Sequence, residues 1–105
     1  MASGIAVSSI TAAELYYGLA RCSHPARERR DLDNLFGSVE IIPFGTKAAE
    51  AFGMIRNHLE RRGQIIGQFD LLIAAHAIAE DAILVTGNTR EFSRVPTLVT
   101  EDWLQ

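Results

Sequence analysis

The feature that most constrains this fold is an almost unbroken apolar run from Leu71 to Ala79. The run is rich in alanine and leucine, which favour helix. A helix that is apolar nearly all round is buried on more than one side. The run is about half as long as the ~20 residues that a membrane-spanning helix needs. The sequence therefore predicts a buried central helix over residues 68–80.

Asp70 lies at the start of this predicted helix. A carboxylate there faces the positive end of the helix dipole, which keeps it ionised. One interpretation is structural, because Asp is a favoured residue at a helix start. The other is functional, because an ionised Asp held rigidly by a buried helix is a good metal ligand. The local sequence leaves both interpretations open.

The rest of the chain alternates between short apolar segments and helical patterns. Four segments are predicted as strands, at residues 4–9, 39–43, 82–86 and 96–100. Helices are predicted from the Thr11-x-x-Glu14 capping box to residue 20, over 26–36, and over 47–62 after an N-cap at Thr46. Strands that alternate with helices are typical of an α/β fold with a mainly parallel sheet. We expect a single domain over residues 1–105.

Charge and cysteine content limit the class of protein. The net charge of −3 argues against a general polyanion binder, although nine of the ten basic residues are Arg and Lys47 is the exception. Arg suits bidentate contacts to phosphate. The single cysteine, Cys22, cannot form an internal disulfide, which fits a reducing compartment. The opening residues lack the basic segment of a secretory signal, so we expect a cytoplasmic protein with no membrane partner.

Acidic and amide side chains fall near the predicted carboxyl ends of strands, where parallel sheets bind ligands. They are Glu14, Asp70, Asn88 and Glu91. Oxygen ligands without Cys or His suit Mg²⁺ or Mn²⁺. Such a site indicates metal-assisted hydrolysis of a phosphodiester. Structural alternatives remain: Glu14 as the capping-box partner, Asn88 as a turn residue and Glu91 as an exposed side chain.

Three stretches together resemble a known family, and they occur in that family's order over most of the chain. They are Ser8–Gly18, Asp70–Ala77 and Leu84–Val95. They are similar to the PIN-domain proteins, and more closely to toxins of the VapC type from bacterial toxin–antitoxin pairs.

The resemblance implies a three-layer α/β/α fold and a Mg²⁺- or Mn²⁺-dependent endoribonuclease. It implies a cytoplasmic homodimer that cuts structured RNA, often transfer RNA, and is inhibited by a cognate VapB-type antitoxin. It assigns metal binding to Glu14 and Asp70, and catalytic roles to these two together with Asn88 and Glu91. Arg90 and Arg94 lie nearest the predicted site and are the candidates for RNA phosphate contacts.

The sequence departs from the family at its start. The family opens with a central strand that ends in an acidic metal ligand, and no segment of this chain matches it. We therefore expect an amino-terminally incomplete PIN-like domain with impaired nuclease activity. Open strand edges invite pairing with another chain. We expect exchange of strands or helices between copies, or direct pairing of the strands that flank the gap. The alternative function is a non-catalytic piece that binds an antitoxin or another toxin copy.

Overall fold

A computed structural model describes residues 6–102 and shows strands alternating with helices. The elements are β1 (Ala6–Ser8), α1 (Ser9–Arg21), α2 (Pro25–Ser38), β2 (Glu40–Ile42), α3 (Thr46–Arg61), α4 (Gln68–Ala79), β3 (Leu84–Val85), α5 (Thr89–Phe92) and β4 (Thr100–Glu101). They fall into two compact units that divide between Pro43 and Phe44. The first two residues of the predicted first strand, Gly4 and Ile5, lie outside the described residues.

The first unit is a parallel pair of strands joined through two helices. In the β1–β2 ladder, Ala6 lies opposite Glu40 and Ser8 lies opposite Ile42. The helices α1 and α2 contact each other through the rings of Tyr16 and Phe36, whose centroids are 5.4 Å apart. This is the strand–helix–strand order that parallel pairing requires.

The start of α1 differs from the predicted capping box. The helix begins at Ser9, and the Ser8 side-chain oxygen accepts a hydrogen bond from the Ile10 N–H at 3.1 Å. Because β1 runs directly into α1 without a loop, the serine at the junction is the first residue able to cap the helix. Thr11 and Glu14 consequently lie inside the helix, so the capping interpretation of Glu14 is wrong. Glu14 is exposed on α1.

The second unit is built on α3 and α4. Its buried core is Ile55, Leu59, Ile66, Leu71, Ala74, Ala75, Phe92 and Val95. Ala74 and Ala75 are completely buried, which confirms the prediction of a buried central helix. The N-cap position of α3 is Gly45, and Thr46 is already helical.

The strand after α4 is shorter than predicted, because the helix end uses part of it. Asp81 takes a left-handed conformation with φ of 53°. The Ala82 N–H then bonds back to the Ala77 carbonyl at 2.8 Å, and the Asp81 N–H bonds to Ile78 at 3.1 Å. This is the Schellman arrangement of helix ends. It leaves only residues 84 and 85 for β3.

The β3–β4 ladder is also parallel, with Leu84 opposite Thr100 and Val85 opposite Glu101. Leu84 and Leu98 pack against the core of the unit. Side chains alternate between the two faces of a strand. Ile83, Val85 and Val99 therefore point away from that core, and each is exposed.

Among residues 6–102, no helix combines the length and apolar character needed to cross a bilayer.

Candidate metal centre

Asp70 lies in the first turn of α4, and the loop before it leaves space beside its carboxyl group. Gly67 occupies the N-cap position of the helix. A Cβ atom on Gly67 would lie 3.6 Å from Asp70 Oδ2 and 3.9 Å from Glu91 Oε1. Both carboxyl groups therefore border the position that this glycine leaves open.

Glu91, on α5, is held in place by three groups. Its side chain is hydrogen-bonded to the Asp70 carboxyl. It accepts a hydrogen bond from the Gly67 N–H at 3.4 Å on Oε1 and one from Asn88 Nδ2 at 3.1 Å on Oε2. These contacts connect the start of α4 with α5.

The pKa of Glu91 is lowered from its ordinary value of 4.5. The largest cause is the hydrogen bond with Asp70, followed on the lowering side by the bonds from Gly67 and Asn88 and by the charge of Arg94. Partial burial opposes them by disfavouring the charged form. The contributions that lower the pKa of Glu91 exceed the opposing effect of burial, so its surroundings favour the charged form.

The Asp70–Glu91 pair fits a hard divalent cation. Two ionised carboxylates close together repel each other, and a divalent cation between them offsets that repulsion. Mg²⁺ is typically bound by one or two carboxylates, with water and substrate phosphate completing its shell. Within residues 6–102, no group of three or more His, Cys, Asp or Glu side chains is close enough to hold a metal. A cation held by this pair would have two carboxylate ligands and would keep further positions for water or phosphate.

Polar and basic residues surround this pair. Asn88 stands at the N-cap position of α5, and its backbone N–H donates to Thr86 Oγ1 at 3.0 Å. Arg94 donates from Nη1 to the Ile65 carbonyl at 3.0 Å, which fixes the guanidinium beside the loop that carries Gly67. Arg90 is exposed on α5.

The structure brings four of the predicted site residues together in the second unit: Asp70, Asn88, Glu91 and Arg94. Glu14 belongs to the first unit and stays a predicted metal ligand. Gly67 is a further site residue that no sequence pattern predicted. The hydrogen bond from Asn88 to Glu91 was likewise not predicted. The spacing of Asn88 and Glu91 was the available signal, since residues three apart meet on one helical turn.

A profile of the PIN domain matches residues 1–98. The chain therefore belongs to the PIN-domain family.

Similar proteins within that family are VapC ribonucleases. The chain is 48% identical over 99 residues to "Ribonuclease VapC2" of Rickettsia felis, covering 94% of this chain and 74% of the relative. It is 40% identical over 97 residues to the "tRNA(fMet)-specific endonuclease VapC" of Shigella flexneri, covering 92% and 74%.

Solved structures show the same likeness. The crystal structure of VapBC2 from Rickettsia felis bound to a DNA fragment from their promoter matches with a TM-score of 0.91 at 47% identity, over 94% of this chain and 74% of that chain. DNA-bound VapBC from Salmonella typhimurium also matches with a TM-score of 0.91, at 38% identity over 93% and 74%. These matches confirm the predicted α/β PIN fold.

Proposed function

We propose that this chain is a cytoplasmic, Mg²⁺- or Mn²⁺-dependent endoribonuclease toxin that hydrolyses structured RNA, with transfer RNA as the first candidate. The observation that carries the proposal is the Asp70–Glu91 carboxyl pair beside the open position at Gly67. The naming of similar proteins as ribonucleases supports the same reaction.

Asp70 and Glu91 are the proposed metal ligands of the second unit, and Glu14 is the proposed ligand of the first. When bound, the cation supplies charge neutralisation at the phosphate and lowers the pKa of a bound water. The protein positions the two carboxylates. Asn88 and the Gly67 N–H orient the Glu91 carboxylate, and the rigid core beneath α4 fixes Asp70.

Arg94 and Arg90 are the proposed phosphate contacts. One of the five Arg94 N–H donors bonds to the Ile65 carbonyl, so the planar guanidinium has further donors to present to a phosphate oxygen. Its positive charge lies close enough to lower the pKa of Glu91. The same charge would offset the repulsion between RNA and the carboxyl pair.

The proposed partners are RNA, a VapB-type antitoxin and a second copy of the chain. The antitoxin is supported by the VapBC complexes among the similar structures. The second copy is supported by the exposed apolar face of Ile83, Val85 and Val99, since parallel sheets are normally covered on both faces.

The decisive experiment is cleavage of bulk transfer RNA with and without Mn²⁺, comparing the unsubstituted chain with Asp70→Asn. The matched control is Asp33→Asn, which removes one exposed carboxylate that pairs with Arg29 at 3.2 Å on α2. Exposed ion pairs contribute about 0–1 kcal/mol, so the control should fold and cleave normally.

We expect cleavage that requires Mn²⁺, persists in Asp33→Asn and is lost in Asp70→Asn. Equal traces in all three proteins, or none, would contradict the nuclease. The chain would then be a non-catalytic piece that binds an antitoxin or another toxin copy. The described residues favour this second candidate in one respect, because they offer two clustered carboxylates rather than three.

A further inference from the structure

Phe69 is a large apolar side chain of which about half is exposed to solvent. It is 55% exposed at the second position of α4, directly before Asp70. Leu71, two residues later, is 4% exposed. Two helical residues are separated by about 200° around the axis, so Phe69 lies on the side of α4 opposite the core contact of Leu71.

Exposed aromatic surface costs free energy in water, because burying apolar area is favourable. The core of the second unit already contains one aromatic residue, Phe92, which is 4% exposed. Phe69 is not one of the residues of that core, and it precedes the candidate metal ligand by one position in the first turn of α4. Its position next to Asp70 therefore points to a role in ligand contact.

Phe69 shares the first turn of α4 with Asp70, and the groups at this end of the helix match the parts of a nucleotide. The carboxyl pair and its cation suit a phosphate, and the guanidinium of Arg94 is held at the same loop by its bond to Ile65. An aromatic face next to phosphate-binding groups suits a base, because protein aromatics stack on unpaired bases. Consecutive Cα atoms are about 3.8 Å apart, so the ring and the carboxyl group of neighbouring residues can contact one nucleotide.

We propose that Phe69 is a stacking surface for an unpaired RNA base beside the scissile phosphate. This inference rests on the proposed nuclease function and adds a contact to a base, made by Phe69, to the contacts with phosphate. A base inside a duplex already stacks on its neighbours, so it cannot also stack on Phe69 without being displaced. Loops, bulges and single-stranded ends satisfy the requirement.

The test measures binding of a short fluorescent oligoadenylate, alone and annealed to its complement, with Ca²⁺ replacing Mg²⁺. The variants are Phe69→Leu, which keeps an apolar side chain without a ring, and Phe69→Tyr, which restores the ring. The control is Met54→Ala, which truncates a side chain that is 76% exposed on α3. A 2-aminopurine in the oligomer reports stacking through quenching of its fluorescence.

We expect Phe69→Leu to weaken binding of the single strand by about 5- to 150-fold, the range for loss of one stacked base. It should also abolish the quenching. Phe69→Tyr should restore both, and Met54→Ala should change neither. Binding of the duplex should be the same for all proteins. Circular dichroism melting should show that each variant is folded.

Unchanged single-strand binding by Phe69→Leu would overturn the inference, as would equal losses on single strand and duplex. Absence of binding by the unsubstituted chain would also overturn it. A defect confined to self-association, with RNA binding intact, would assign Phe69 to a protein contact instead.

The transfer RNA assay separates this inference from the proposed function. Metal-dependent cleavage that needs Asp70, together with Phe69-independent binding, would refute the stacking surface and leave the nuclease standing. Phe69-dependent binding without any cleavage would support the stacking surface and refute the nuclease.

Discussion

At the residue scale, the candidate site depends on small features around two carboxyl groups. Asp70 is fixed by a helix, whereas Glu91 depends on donors from Asn88 and Gly67. Gly67 contributes to the site in two ways. Its N–H donates a hydrogen bond to Glu91, and its lack of a side chain leaves space beside both carboxyl groups. Single substitutions should therefore separate the electrostatics of the pair from the space beside it.

Replacing Asn88 with Ala should raise the pKa of Glu91 toward 4.5, because one donor to its carboxylate is lost. A carboxyl group with a lowered pKa stabilises the fold above its unfolded pKa, and this stabilisation is lost as the pH falls through the folded pKa. In Asn88→Ala this stabilisation should be smaller, and its loss should be complete at a higher pH, because the folded pKa lies closer to the unfolded one. The measurement is an NMR titration of the Glu91 side-chain carboxyl carbon in metal-free protein. Asn57→Ala, on the exposed side of α3, is the control. Superimposable Glu91 titrations in both variants would contradict the role of Asn88.

Replacing Gly67 with Ala should weaken Mn²⁺ binding about tenfold, the lower end for changes just outside a metal's ligands. The new methyl group would stand 3.6 Å from Asp70 Oδ2 and 3.9 Å from Glu91 Oε1. The backbone should tolerate the change, since Gly67 has an ordinary φ of −56°. Titration calorimetry measures the binding.

The matched control is Gly53→Ala in α3, where a Cβ atom meets nothing within 4 Å. Glycine inside a helix is about 0.5–1 kcal/mol less stable than alanine. This control should therefore raise the free energy of unfolding and leave Mn²⁺ binding unchanged. Equal Mn²⁺ affinity in the two glycine variants would show that the opening at Gly67 is irrelevant to the metal.

At the scale of elements, helix boundaries decide which residues are available for function. The Ser8 cap places Glu14 on the surface of α1, and the Schellman turn after α4 shortens β3. In both cases a hydrogen bond at the helix end determined the boundary. The flanking sequence was compatible with more than one boundary.

Replacing Ser8 with Ala should lower the free energy of unfolding by about 1 kcal/mol, the usual cost of losing an N-cap side chain. Thr11→Ala is the control, since Thr11 lies inside α1 and alanine is a better helix former. Urea unfolding followed by circular dichroism gives both values. A larger loss in Thr11→Ala than in Ser8→Ala would restore the capping box as the true helix start.

Prediction from sequence succeeded where the pattern was long and allowed one interpretation. The apolar run of α4 predicted its bounds closely, because nine consecutive residues could not be placed on a surface. The N-terminus of α1 was missed, because Ser8 and Thr11 are both good caps and three residues apart. The contact of Gly67 with Glu91 spans 24 residues, and no local pattern reports such a distance.

At the scale of the whole molecule, the exposed apolar face of the β3–β4 sheet is the feature that bears on association with other chains. Ile83 is 54% exposed and Val99 is 56% exposed. Exposed apolar patches commonly mark interaction surfaces. The homodimer expected from the family resemblance stays a prediction, and this face is the contact surface proposed for it.

We expect the chain to self-associate at micromolar concentrations, and Val85→Lys to shift it toward monomer by placing a charge on this face. Met54→Lys, which adds the same charge to α3, should leave association unchanged. Sedimentation velocity over a concentration series measures both. A monomeric unsubstituted chain, or equal shifts in both variants, would rule out this face as the contact.

The two halves of the carboxyl pair belong to elements of very different size. Asp70 is on a twelve-residue helix with fully buried alanines, whereas Glu91 is on a helix of four residues. Amide hydrogens exchange slowly in buried helices and rapidly in short peripheral turns. Mn²⁺ bound between the two carboxylates would therefore hold the short helix α5 against the start of α4. It should slow the exchange of the amides in residues 89–92 while leaving those of 72–78 at their own slow rate.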